Sequence, residues 1–261
     1  MTRATFPLLI ARTYVALIVM FIFLPIAMLV TFSFQEGRLP IPPFNGPSLR
    51  WYGQVLSDRD MISALLSSLG VGAAAALSAT TLGFFAAYGV ARFALPYRGL
   101  IEVVMLIPAS VSYLIVGLGL LVFLGSIGVR PSLLAVGIGH TVITLPIAFS
   151  LILSQMDPSH INAEMAARDL GASELGAIFR ITLPLMLAPL LAAFAICFSL
   201  SWDEFIIAFL LSRFEVTLPV EIWTSLRSGL NPFINAAGTL IFLVSLTVFV
   251  IFTFGLRKER T

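Results

Sequence analysis

Charge is what this sequence has least of. Only 11% of its 261 residues are Asp, Glu, Lys or Arg, against about 25% in an ordinary soluble domain. With 59% hydrophobic residues and a mean hydropathy of +1.04, a water-soluble globule is excluded. One cysteine, Cys197, excludes an intramolecular disulfide framework, and its apolar setting makes it a small packing residue. No His, Cys, Asp or Glu cluster has metal-ligand spacing. No G-x-x-x-x-G-K phosphate loop and no nucleophile elbow occur. The net charge of +2 and the lack of a basic run before the last residues argue against nucleic acid as a partner. Low-complexity segments and fixed-period repeats are missing too. No cleavable signal is evident: the first apolar run, Tyr14–Phe34, is long enough to span and is expected to stay as an anchor.

What is present is apolar length. Six segments qualify as membrane spans: Tyr14–Phe34, Ile62–Ala91, Leu100–Leu124, Ser132–Leu153, Leu185–Leu211 and Asn235–Leu256. Each has about 20 or more largely apolar residues, enough for a hydrocarbon core of ~30 Å. In lipid each backbone polar group needs a local partner, so the spans are helices; a barrel would show alternating strands of about ten residues. The expected fold class is an all-α membrane protein with one transmembrane domain over residues 1–261. Pro25, Pro108 and Pro146 fall inside spans, where kinks are tolerable if neighbouring helices re-satisfy the freed carbonyls. Basic residues set the orientation. With the N-terminus inside, the inner side holds Arg3, Arg12, Arg92, Arg98, Arg168, Arg180, Arg257, Lys258 and Arg260. The outer side holds Arg38, Arg50, Arg59, Arg130, Arg213 and Arg227. The excess inside predicts cytosolic termini. Trp51 and Tyr52 in the first outer loop suit a membrane interface.

The most polar stretch is the inner loop from Gln155 to Pro184, and it reads as helix. Asp157-Pro158 is a helix start, with Asp as N-cap and Pro in the first turn. "INAEMAARDL" follows as a helix, Gly171 fits a left-handed C-terminal cap, and Ser173 caps a second short helix. Such an elbow is a docking knob: the alanines admit a partner groove, and Glu164, Arg168 and Asp169 make rim contacts. A plain amphipathic connector lying on the membrane is the alternative.

"MAARDLG" followed by "ITLP" resembles the EAA loop of binding-protein-dependent ABC importer permeases. By position Ala166, Ala167, Gly171, Ile181, Leu183 and Pro184 match; Met165 stands at the family's Glu position, with Glu164 one residue earlier. The resemblance extends over most of the chain after Tyr52. "SLSWDEFIIAFLLSRFEVTLPVEIWTSLRSGLNPFINAAGTL" is similar to the second permease of spermidine/putrescine-type importers. It implies a type I importer permease fold of six transmembrane helices, with Glu164, Ala166, Ala167, Asp169 and Gly171 coupling the chain to an ATP-binding subunit. The implied partners are a dimer of that subunit, a second homologous permease, a solute-binding protein and membrane lipids. No cofactor is expected in this chain and it is not expected to be an enzyme; ATP and Mg would bind the partner subunits. The implied solute is a small cation, a polyamine such as spermidine or putrescine. Another amine, an opine-like compound, an organophosphonate or ferric ion stay open, as does a secondary carrier.

Asp203 and Glu204 sit in the fifth apolar run, where a central Asp costs about 2.5–3.5 kcal/mol. On a continuous helix starting near Pro189, Asp203 lies ~21 Å up, in the outer half of the core. Ser199, Trp202, Asp203 and Ile206 then share a face. A carboxylate, a serine and an indole there suit a polyammonium chain, while a structural ion pair to Arg213 or Arg227 is the alternative. Glu204 lies about 100° round the helix. Glu221 and Trp223 are candidates for the outer mouth, or cap a re-entrant helix. His140 is expected in a helix–helix hydrogen bond, and His160 on the loop surface.

Overall fold

The computed structural model describes the backbone of residues 5–258, except 94, 228 and 230. Arg3 and Arg260 of the orientation count lie outside the described residues. Helices occur in the order α1 (Thr5–Ser33), α2 (Arg50–Ser57), α3 (Arg59–Arg92), α4 (Arg98–Ser110), α5 (Tyr113–Ser126), α6 (Leu133–Ser154), α7 (Pro158–Asp169) and α8 (Glu174–Ala177). A π turn (Ile178–Thr182) follows, then α9 (Leu183–Leu185), α10 (Leu187–Trp202), α11 (Ile206–Leu211), α12 (Leu218–Arg227) and α13 (Pro232–Lys258). The all-α expectation holds; among the described residues no strand occurs.

Three helices are long and apolar enough to cross a membrane: Ala11–Ser33, Arg59–Arg92 and Leu133–Ser154. Two of the six spans expected from the sequence are not straight. The third divides into α4 and α5, which meet at 99°. Pro108 has no N–H to close its turn, and Val111 and Ser112 take extended backbone. The fifth bends by 70° between Glu174–Leu185 and Leu187–Trp202, where the π turn and Pro184 interrupt the regular ladder. It breaks again at Asp203–Phe205. Counting each bent pair as one span gives five. The expected sixth, Asn235–Leu256, falls in α13, where side chains are described only in part; its apolar portion Pro232–Thr247 is shorter than a span. Of the best 18-residue window, 6% is buried in α1, against 39% in α3 and 50% in α6. The two internal helices therefore carry the packing, and α1 presents its apolar surface outward on nearly every side.

The chain groups into two compact units, Met1–Ile62 with Ile222–Val244, and Ser63–Glu221 with Ser245–Thr261. In the first, Trp51 and Tyr52 make contacts inside the unit. Trp51 is buried and donates its indole N–H to the Gln35 carbonyl at 2.7 Å, and Tyr52 pairs its hydroxyl with Ser33 Oγ at 2.6 Å. The two rings fasten α2 to the end of α1. In the second unit one core joins α3, α6, the π turn and α10 through Ala79, Phe84, Ala87, Ala148, Phe149, Ile178 and Cys197. A second core joins α5, α6 and α11 through Leu124, Val136, Ile143, Ile207 and Leu211. Small residues set the approach. A Cβ on Gly83 of α3 would stand 3.0 Å from Ala148 Cβ and from the Phe149 nitrogen, and one on Gly139 of α6 2.5 Å from Ile207 Cγ2.

Candidate functional site

The break after α10 separates the two adjacent carboxylates. Asp203 ends α10, its N–H donating to the Ser199 carbonyl at 3.3 Å. Its side chain is exposed, as is Ser199. Glu204 turns inward and is 6% exposed. Its carboxylate caps the first turn of α11: Oε1 accepts from the Ile206 N–H at 2.9 Å, and Oε2 from the Ile207 and Ala208 N–H groups at 2.9 and 3.2 Å. Those are donors that a helix start leaves without partners, and in an apolar core they must be satisfied.

His140 on α6 completes this site. It is fully buried, with Nδ1 2.7 Å from Ser201 Oγ and Nε2 3.3 Å from Glu204 Oε2. The second contact is short but is not aligned as a hydrogen bond. The helix–helix hydrogen bond expected of His140 is thus present, to Ser201. Ser201, His140 and Glu204 follow one another as in a hydrolytic triad, yet they are 4%, 0% and 6% exposed. Their contacts tie the break after α10 to α6.

The face expected to unite Ser199, Trp202, Asp203 and Ile206 does not form, because the helix ends inside it. Trp202 is 3% exposed and stacks on Phe198, ring centroids 6.0 Å apart. Neither its ring nor the Glu204 carboxylate reaches the surface that Asp203 reaches. Glu221, in the first turn of α12, is half-buried; Trp223, on the same helix, is exposed.

On the inner loop, local chemistry works as the sequence implies. Asp157 accepts from the Ser159 N–H at 2.7 Å, and that bond holds its carboxyl below the ordinary carboxylate range. Gly171 has φ +94°, which a side chain would strain, and Ser173 Oγ accepts from the Gly176 N–H. Ala166, Asp169 and Gly171 are exposed and Ala167 half-buried. Beside them Met165 is 45% and Leu170 91% exposed, an apolar edge that the sequence reading did not single out.

Glu164 departs from expectation. It makes no rim contact; it is 1% exposed. Oε1 accepts from Tyr88 OH at 2.8 Å and from Arg92 Nε at 3.3 Å, and Oε2 from Thr182 Oγ1 at 3.0 Å. His160, one turn earlier on α7, lines the same cavity of about 10 Å³ and is half-buried, not on the loop surface. Sequence reasoning did not bring Tyr88, Arg92 and Thr182 together with Glu164. A signal was available: Tyr88 and Arg92 are four apart and share a face at the inner end of a span.

Apolar helices of this length and number define a multi-pass membrane protein. Residues 79–258 match the family described as binding-protein-dependent transport system inner membrane component, and the chain belongs to that family. It is 33% identical over 250 residues to the putrescine transport system permease protein PotI of Escherichia coli K12, covering 92% of this chain and 88% of that one. It is 26% identical over 246 residues to the spermidine/putrescine transport system permease protein PotC of Haemophilus influenzae, covering 92% and 93%. Its fold is similar to a chain of a bacterial ABC transporter involved in import of the acidic polysaccharide alginate, with TM-score 0.74, 17% identity and coverage of 96% and 95%. A second structure of such a transporter, in complex with an alginate pentasaccharide-bound periplasmic protein, gives TM-score 0.69 at 18% identity, covering 95% and 92%. At these identities the structures speak for the fold alone.

Proposed function

We propose that this chain is the permease subunit of an ATP-driven importer for a small cationic solute, a polyamine such as putrescine or spermidine. The observation that carries the reading is the 33% identity, over 92% of the chain, to a putrescine permease. A solute-binding protein delivers the solute from outside. A second, homologous permease completes the path through the lipid bilayer. Two ATP-binding subunits hold ATP and Mg and do the hydrolysis, so this chain conducts and is not itself an enzyme. They seat on the inner elbow, where Ala166, Asp169, Gly171 and the exposed Met165 and Leu170 form the contact edge and Ala167 lies behind it.

Asp203 is the residue proposed to meet the solute, with Ser199 beside it; Glu221 and Trp223 are proposed for the outer mouth. Trp202 and Glu204 act behind the path, by packing and by capping. An exposed carboxylate at a helix end suits an ammonium group, because the helix C-terminus adds partial negative charge there. Asp203→Asn keeps the shape and removes the charge. Uptake of radiolabelled putrescine by the reconstituted complex should fall several-fold, as a hydrogen bond involving a charged group is worth about 1.5–3 kcal/mol. The amount of assembled complex should not change. Undiminished uptake by a well-assembled Asp203→Asn complex would refute the role of Asp203. No amine uptake by the unsubstituted complex would refute the polyamine reading.

The N-terminus, the elbow and the C-terminus are proposed to be cytosolic, on the basic-residue bias of the inner loops. A cysteine introduced at exposed Asn162 in a Cys197→Ala background should resist a membrane-impermeant maleimide in intact cells and react after permeabilisation. Labelling in intact cells would invert the topology.

A further inference from the structure

A loop that only connected two spans would need no buried charge. The Glu164 carboxyl is taken out of water and satisfied on both oxygens, by partners from two other elements: Tyr88 and Arg92 at the inner end of α3, and Thr182 in the π turn. A buried ion pair adds little stability over an apolar set of the same shape, but separating its partners is strongly penalised. What it supplies is a fixed distance. Thr182 belongs to a turn with one extra residue, which re-aims the side chains after Ala177. The 70° bend follows directly, at Met186.

We propose that Glu164 is a positioning residue that clamps α7 to the inner end of α3, so that movement of the elbow passes into α3 and not only along the chain through Glu174–Leu185. The inference rests on the permease reading. α3 is suited to carry the displacement. It runs unbroken over 34 residues, about 51 Å at 1.5 Å per residue. At its outer half Ser68 Oγ accepts from the Leu218 N–H at 2.8 Å, where α12 begins. The same helix is thus held at its inner end by the elbow and towards its outer end by the loop after α11. Glu164 stands one residue before the position the family pattern reserves for Glu, about 100° round the helix. That turn faces it into the protein and leaves Met165 outside.

The test uses the full complex in nanodiscs, with nitroxide labels at Asn162 on α7 and Phe93 just after α3, both exposed. The expected result is a distance between the labels that stays constant through ATP binding and hydrolysis, and that varies with nucleotide state in Glu164→Gln. In the same variant the ATPase rate should stay close to that of the unsubstituted complex, while solute moved per ATP falls about fivefold or more. Arg92→Met should do the same, and the double variant should be no worse than either single one. If Glu164→Gln does not assemble, Thr182→Val removes one hydrogen bond and leaves the ion pair, and a smaller loss of the same kind is expected. A label distance that changes with nucleotide in the unsubstituted complex overturns the clamp. So does undiminished transport per ATP in assembled Glu164→Gln or Thr182→Val. The distance measurement needs no knowledge of the solute. A failed polyamine reading leaves it intact, whereas failure to assemble with any ATP-binding subunit would be the failure of the permease reading itself.

Discussion

Glu204→Ala should be among the most damaging single substitutions in this chain, lowering stability by on the order of 3 kcal/mol. It leaves three N–H donors of α11 in an apolar core without acceptors, each costing about 1–3 kcal/mol, and strips His140 of its neighbouring carboxylate. In membranes single hydrogen bonds average only ~0.6 kcal/mol, so the sum belongs at the lower end of that range. Glu204→Gln retains an acceptor oxygen and should cost less. The measurement is thermal unfolding of the purified complex in detergent. His140→Leu alone and combined with Glu204→Ala closes a double-mutant cycle, and the two losses should not add. A Glu204→Ala complex that melts with the unsubstituted one would show that the cap is unimportant and reopen Glu204 as a group facing solute.

A larger loss is expected from Gly83→Val. One added carbon at Gly83 already reaches 3.0 Å from Ala148 Cβ and from the Phe149 nitrogen. The nitrogen belongs to the backbone of α6 and cannot rotate away. Gly83→Ala should cost about 1–3 kcal/mol as overpacking, and the two further methyls of valine should force α3 and α6 apart. Those two helices carry most of the burial in the second unit, so assembly itself should fail. Size-exclusion chromatography of tagged protein reads this directly. A monodisperse Gly83→Val complex at normal yield would mean that the crossing can slide, and that its closeness is not what holds the unit together.

The inner elbow was legible because its determinants are local. A cap needs its own side chain and the next three residues, and Asp157, Gly171 and Ser173 each bring theirs. The apolar runs were legible for the same reason, since length and composition reside in the run. What escaped was tertiary. Glu164 and Glu204 look alike in sequence to carboxylates that face outward; Tyr88, Arg92 and Thr182 draw the first inward, and His140 of α6 stands beside the second, which also caps its own neighbours Ile206–Ala208. The break at Asp203–Phe205 was hidden too. On hydropathy Leu185–Leu211 is one span, and nothing nearby except the two carboxylates says that the helix stops. Once a continuous helix is assumed, Ser199, Trp202 and Asp203 fall on one face. With the break, Trp202 packs on Phe198, while Ser199 and Asp203 stay outside.

The pairing of His140 with Glu204 has a consequence for how the chain enters the membrane. The ribosome makes α6 before the segment that holds Glu204. His140 is therefore in place when Glu204 arrives, so the acidic segment meets a partner on a span already laid down. A truncated chain that begins after α6 should present the translocon with a poorer stop signal than its hydropathy suggests, and biogenesis of this protein has a built-in order that its list of apolar segments does not reveal.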